Sequence, residues 1–172
     1  LRAGVVPVPK HFPGHGRSTL DPHQEVTPID ATLAELEAVD FPPFIAAFEA
    51  GAPAVMVGHP IYRAIDPGLP ASLSPAVLAL LRGGFGFTGV AMTDALNMAG
   101  VAAGRDPGEV AVQALEAGED LLLVLDSTQV PAMAGAIKAA VEGGDLSLAR
   151  LEEAAGRVRA LAVGAGPVAC PG

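Results

Sequence analysis

Val5-Val6-Pro7-Val8-Pro9-Lys10-His11-Phe12-Pro13-Gly14-His15-Gly16-Arg17-Ser18-Thr19-Leu20-Asp21-Pro22-His23 is the stretch on which the fold turns. The apolar run Val5 to Val8 predicts a buried strand. Beyond that run the stretch is polar, is broken by Pro and Gly, and holds three of the chain's four histidines. A segment of that composition does not pack inside a core. It predicts a loop displayed at a strand end, where α/β folds place their chemistry. Asp21 and His23 are two residues apart, so an extended backbone points both side chains the same way. Pro22 favours that backbone by keeping Asp21 out of the helical region. A carboxylate beside an imidazole fixes its tautomer and stabilises its cation, which is what a histidine acid/base requires. The plain alternative is a solvated loop with a chance Asp-Pro-His. Lys10-His11, at the strand exit, predicts a charged pair facing a cleft.

Working outward, Leu33, Leu36 and Val39 share one face of a helix expected over Ala31 to Val39. Asp40 is expected to cap a second helix, with Pro42 and Pro43 in its first turn, an apolar Phe44, Ile45 and Phe48, and Gly51 at its end. Ala54 to Val57 predicts a short buried strand ending at Gly58-His59-Pro60. His59 reads as a structural histidine bonded to a neighbouring loop. Tyr62 to Ser72 is expected to be loop. Ser74 and Pro75 open a helix through Leu81, closed by Gly83. Val90 to Thr93 predicts the next strand, with Asp94 at its tip, where a carboxylate either caps a turn or reacts. Asp106-Pro107 opens a helix to about Ala117, followed by Gly118. Leu121 to Leu125 is a fourth strand. Helices are expected at about Val130 to Val141 and, capped by Ser147, at Leu148 to Val163. Residues 164–172 are expected to form a loose tail behind a unit spanning 1–163.

This order is strand–helix four times over without hairpin signals, which implies an α/β fold of parallel strands joined by right-handed crossovers. Each candidate functional residue follows a strand, as in a TIM (β/α)₈ barrel. Four units are half of such a barrel, and a whole one needs about 250 residues. The chain has 172 residues, of which 51% are hydrophobic and only 4% aromatic. That balance suits small-residue helices packed on buried parallel strands. A net charge of −9 and no basic patch argue against nucleic acid and anionic membranes as partners. The single cysteine, Cys170, provides no intramolecular disulfide framework. No apolar run reaches membrane-spanning length. With no signal peptide in view, a cytoplasmic location is the expectation.

Lys10-His11-Phe12-Pro13-Gly14-His15-Gly16, four residues, then Asp21-x-His23, resembles the signature loop of family 3 glycoside hydrolases in their bacterial β-N-acetylglucosaminidase branch. Gly89-Val90-Ala91-Met92-Thr93-Asp94-Ala95-Leu96-Asn97-Met98 resembles the family's nucleophile strand. Val55-Met56-Val57-Gly58-His59-Pro60-Ile61-Tyr62 and Pro70-Ala71-Ser72-Leu73-Ser74 fit between them, so the resemblance runs over about residues 1 to 163 with its blocks in order. Pro22 departs from the branch's usual Ser or Thr. The resemblance implies that the four units are the C-terminal half of the barrel. A missing N-terminal half, or a second copy of the chain, would then cover the open strands. It also implies Asp94 as nucleophile, His23 as acid/base oriented by Asp21, and Lys10 and His11 as substrate-binding residues contacting sugar hydroxyls.

On this resemblance the chain is expected to hydrolyse terminal β-linked N-acetylglucosamine with retention, through a glycosyl-enzyme intermediate, on substrates such as cell-wall muropeptides. No cofactor or metal is required. His11, His15, Asp21 and His23 are zinc-ligand types, but they lack the helical HExxH arrangement or a CxxC pair. A neutral His23 repels an incoming anion less than a carboxylate would, so phosphate could replace water as acceptor. Two other readings stand beside this one: a β-glucosidase, and an inert half-barrel that self-associates or binds sugar weakly.

Overall fold

The computed structural model describes residues 5–18, 27–102 and 104–165. The expected parallel α/β architecture is present. A three-stranded parallel sheet runs in the order β2 (Ala54–Val57), β4 (Val90–Ala95), β5 (Leu121–Leu123). Ala54 to Val57 pair in register with Val90 to Thr93, and Met92 and Ala95 pair with Leu121 and Leu123 around an irregularity. A second, two-stranded parallel ladder joins β1 (Pro28–Ile29) to β3 (Ile61–Tyr62); neither is among the expected strands, and Tyr62 opens the stretch expected to be loop.

The first strand is displaced from its expected place. Val5 to Val8 form no ladder, and Val5 is 68% exposed. Pro7 and Pro9 have no N–H to donate, so pairing begins only where the prolines end. Met56 N donates to Pro9 O at 3.0 Å, Phe12 N to Met56 O at 2.8 Å, and Gly58 N to Phe12 O at 3.0 Å. Phe12 thereby bridges Val57 in parallel, and the segment 9–12 occupies the edge position next to β2.

The helices begin as local chemistry dictates. Thr32 and Glu35 form a reciprocal capping box at the start of α1 (Leu33–Glu35), which continues as a wide turn over Leu36–Asp40. Helix α2 (Pro42–Glu49) starts on Phe41 without a side-chain cap. The expected cap, Asp40, is buried and turned inward instead, where its Oδ2 accepts from Arg17 Nε at 2.7 Å. Ser74 caps α3 (Pro75–Ala79), accepting from Val77 N, and the helix loosens into a second wide turn over Leu80–Gly84. After the short α4 (Ala99–Ala102), Asp106 caps α5 (Pro107–Ala117), which ends on Gly118 at φ 120°. Helices α6 (Val130–Gly143) and α7 (Leu148–Ala165) close the chain. Ser147 Oγ accepts from Arg150 N as expected.

The chain's six phenylalanines gather into one core. Phe12 meets Phe44 and Phe85 edge-on, Phe85 meets Phe41 and Phe48, and Phe48 lies against Phe87, with ring centroids 4.5–6.1 Å apart. Edge-to-face pairs of this kind add about 0.5–1.5 kcal/mol each beyond the area they bury. The cluster fixes the 9–12 segment to α2 and to the turn after α3.

At the N-terminal end of the sheet sits a charge cluster that no local sequence signal marks. The carboxylate of Asp120, fully buried, accepts from Arg82 at 2.6 Å, Arg150 at 2.8 Å and Arg157 at 3.1 Å, and from Ala91 N at 3.0 Å. This ties α3 and α7 to the start of β4. Next to it Glu119 is 0% exposed, and neither of its carboxylate oxygens has a partner among the described residues. Burial pushes this carboxyl well above the usual range; Asp120 adds to the shift, while Arg82 and Arg150 oppose it.

Candidate active site

The opposite, C-terminal end of the strands carries the polar groups. Asp94 is the fifth residue of β4 and is partly exposed at its tip. Its Oδ1 accepts from Ala95 N at 2.8 Å, which settles the carboxylate against the backbone. Its Oδ2 faces His11 Nε2 at 3.4 Å, ion-pair distance when the imidazole is protonated. His11 in turn meets His15 edge-on, with ring centroids 5.4 Å apart. The first loop and β4, the central strand of the three-stranded sheet, more than eighty residues apart in sequence, therefore converge on one point.

Lys10 and His11 line an open recess of about 480 Å³ with Gly14, His15, Asp40 and Phe44. The Lys10–His11 and Phe12–Pro13 peptides are cis. Three contacts hold this loop. Phe12 is pinned by its ladder bonds and ring partners. Tyr62 Oη donates to Gly14 O at 2.7 Å. Gly14, at φ 139°, presses so closely on Asp40 that a Cβ there would stand 2.6 Å from the Asp40 Cβ. Arg17 then locks onto Asp40 from outside the turn.

Of the sequence-predicted site residues, the structure brings His11 to Asp94 and places Lys10 beside them in the loop. Asp21 and His23 lie outside the described residues. His59 is buried and bonded to a neighbouring loop, as expected: Nδ1 is 2.7 Å from Ser72 Oγ, and Nε2 is 3.0 Å from Ala95 O. Sequence reasoning missed Gly58, whose bare Cα allows His11 its position; a Cβ would stand 3.1 Å from the His11 Cβ. It also missed Asp40 and Tyr62 as anchors of the loop. The Gly-His-Pro at a strand exit was the available signal for Gly58; nothing local marks the other two.

Parallel strands alternating with helices, with polar groups gathered at the strands' C-terminal ends, are the arrangement of a segment of a (β/α) barrel. The chain belongs to the family described as the glycosyl hydrolase family 3 N terminal domain, whose model matches residues 1–161. It is 41% identical over 162 residues to a β-hexosaminidase of Chromobacterium violaceum, covering 92% of this chain and 44% of that protein. It is 33% identical to a protein of Arthroderma benhamiae named as an uncharacterized secreted glycosyl hydrolase, covering 93% of this chain and 47% of that one. Among solved structures, a family 3 β-N-acetylglucosaminidase from Paenibacillus sp. superposes with a TM-score of 0.91 at 38% identity, covering 99% of this chain and 34% of that chain. The expected fold class, a portion of a TIM-type α/β barrel, therefore stands, and the chain spans less than half the length of these relatives. Among the described residues no helix is long and apolar enough to cross a membrane.

Proposed function

We propose that this chain carries the catalytic groups of a retaining β-N-acetylglucosaminidase. The observation that carries the reading is the Asp94 carboxylate at the tip of β4, 3.4 Å from His11 Nε2. Asp94 is the nucleophile. Its Oδ2 attacks the anomeric carbon as the glycosidic C–O bond breaks, and His23, oriented by Asp21, gives its proton to the departing oxygen. Water then attacks the anomeric carbon of the glycosyl-Asp94 ester, His23 takes the water's proton, and the bond to Asp94 breaks. A histidine near its ordinary pKa of about 6.5 serves both steps. Lys10 and His11 hold sugar hydroxyls. The substrate is a non-reducing β-linked N-acetylglucosamine, such as that of cell-wall muropeptides, and the cytoplasm is the proposed compartment. Residues 1–163 are the catalytic unit contributed by this chain. The outer edge of β5 and the exposed Leu121 and Leu125 need cover; the remainder of the family's domain supplies it.

The test is release of nitrophenol from nitrophenyl N-acetyl-β-glucosaminide by the protein as its host makes it. Turnover is expected, with nitrophenyl β-glucoside a poor substrate. Asp94→Gly is expected to lose at least about 10³-fold in kcat, recoverable in part by azide as external nucleophile. Full activity in Asp94→Gly without azide would sink the assignment. No turnover at any protein concentration would leave the inert half-barrel as the reading.

A further inference from the structure

His59 does something that neither its burial nor the proposed chemistry requires. Its ring is 2% exposed at the exit of β2, yet both nitrogens are engaged. A carbonyl oxygen can only accept, so the contact of Nε2 with Ala95 O, at 3.0 Å, puts the proton on Nε2. In the neutral ring Nδ1 then accepts from the Ser72 hydroxyl, 2.7 Å away. Burial lowers the ring's pKa and favours its neutral form; the Ala95 carbonyl and Asp94 oppose this, while His11 and His15 add to it.

Ser72 is itself fixed. It is fully buried in the turn Ala71–Leu73, and its N–H donates to Gly58 O at 3.0 Å while Ala71 N donates to Pro60 O at 3.0 Å. At the other end Ala95 is held on both sides. Its N–H donates to Asp94 Oδ1, and its carbonyl accepts from His59 and from Met98 N at 3.0 Å. The Ala95 N–H and carbonyl lie in the two peptide planes that meet at its Cα, so a shift of that Cα reaches the N–H bonded to Asp94 Oδ1. A leucine in place of His59 would fill the same space and hold β2 to β4 by packing alone. It would leave Met98 N as the one remaining donor of these two to fix the direction of the Ala95 carbonyl.

We propose that the Ser72–His59–Ala95 chain sets the orientation of the Asp94 carboxylate, which makes His59 a positioning residue. For catalysis this rests on Asp94 being the nucleophile; for geometry it does not. The test has two arms. In ring-nitrogen NMR of the full chain, His59 is expected to titrate below an exposed histidine and, when neutral, to carry its proton on Nε2. A proton on Nδ1, or titration like an exposed histidine, overturns the proposal. In the second arm, His59→Leu is expected to lower kcat about 10²-fold with KM within about twofold. His59→Gln, which keeps an N–H within reach of the Ala95 carbonyl, is expected to recover most of that loss. A folded His59→Leu with wild-type kcat overturns the proposal, as does an equal loss in the Gln variant.

Should the hydrolase reading fail, the carboxyl carbon resonance of Asp94 takes the place of kcat. It is expected to shift in His59→Leu and return toward wild type in His59→Gln. An unmoved resonance counts against the proposal. Should His59→Leu not fold, Ser72→Ala serves instead; it removes the hydroxyl bonded to Nδ1 while the Ala95 carbonyl still holds the proton on Nε2, and it is expected to shift both the Nδ1 resonance and the Asp94 carboxyl carbon, an unmoved Asp94 resonance there overturning the proposal.

Discussion

At the scale of single residues, the site depends on how closely backbone can approach backbone. Gly58 leaves room for His11, and an added methyl would stand 3.1 Å from the His11 Cβ and 3.2 Å from the Pro60 Cδ. Gly58→Ala is expected to push His11 outward by a few tenths of an ångström and to cost about tenfold in kcat/KM, since small misplacements of reacting groups are expensive. Stability should change little, because φ at this position is not in the left-handed region. Steady-state kinetics beside a thermal melt checks both halves; an equal fall in Tm and activity would mean that the glycine serves folding alone. The residues proposed to carry the chemistry stand out because their types and spacing are local signals: Asp94 after an apolar run, Lys10-His11 before Pro-Gly. Asp40 misleads because a carboxylate before two prolines looks like a helix cap, while its true partner, Arg17, is 23 residues away.

At the scale of elements, the caps and glycine stops are readable because each needs only its neighbours: Ser74, Asp106 and Ser147 at helix starts, Gly118 at a helix end. The first strand falls later than its apolar composition suggests because Pro7 and Pro9 lack the N–H groups a ladder needs. What holds the elements to one another is not readable. Phe12, fully buried, is the contact that docks the histidine loop on the phenylalanine cluster. Phe12→Ala is expected to cost about 3–5 kcal/mol, seen in denaturant titration, and to weaken sugar binding as the loop loses its footing. At the sheet's other end Asp120 answers three arginines, one from the wide turn after α3 and two from α7. Asp120→Asn leaves those guanidiniums without their shared anion and is expected to cost about 3–5 kcal/mol, with the fall in Tm largest at low salt. A loss under about 1 kcal/mol, the range of exposed pairs, would mean the arginines are well served by solvent and by Glu153.

For the whole molecule, Glu119 predicts an unusual pH response. Its carboxyl is raised in the folded state, so between about pH 4.3, where the unfolded chain ionises, and its own higher pKa, the folded state binds more protons than the unfolded one. Stability therefore falls as pH rises through that window, by up to about 1.4 kcal/mol per pH unit. Paired carboxylates such as Asp66 and Asp126, whose pKa values are lowered by hydrogen bonds, act in the opposite direction at lower pH. Subtracting the stability profile of Glu119→Gln from that of the wild type isolates the one group. The variant's advantage is expected to grow from about pH 4 upward, and a flat difference would show that Glu119 is ionised in the fold. Tyr62 has one further consequence. The chain contains no tryptophan and one tyrosine, and that phenol is bonded to the Gly14 carbonyl of the histidine loop. The chain thus carries its own optical gauge: its phenol absorbance and emission, at longer wavelength than those of the phenylalanines, come from a single ring whose bond to the loop is lost if the loop lifts, so loop docking can be followed during sugar titrations without any label.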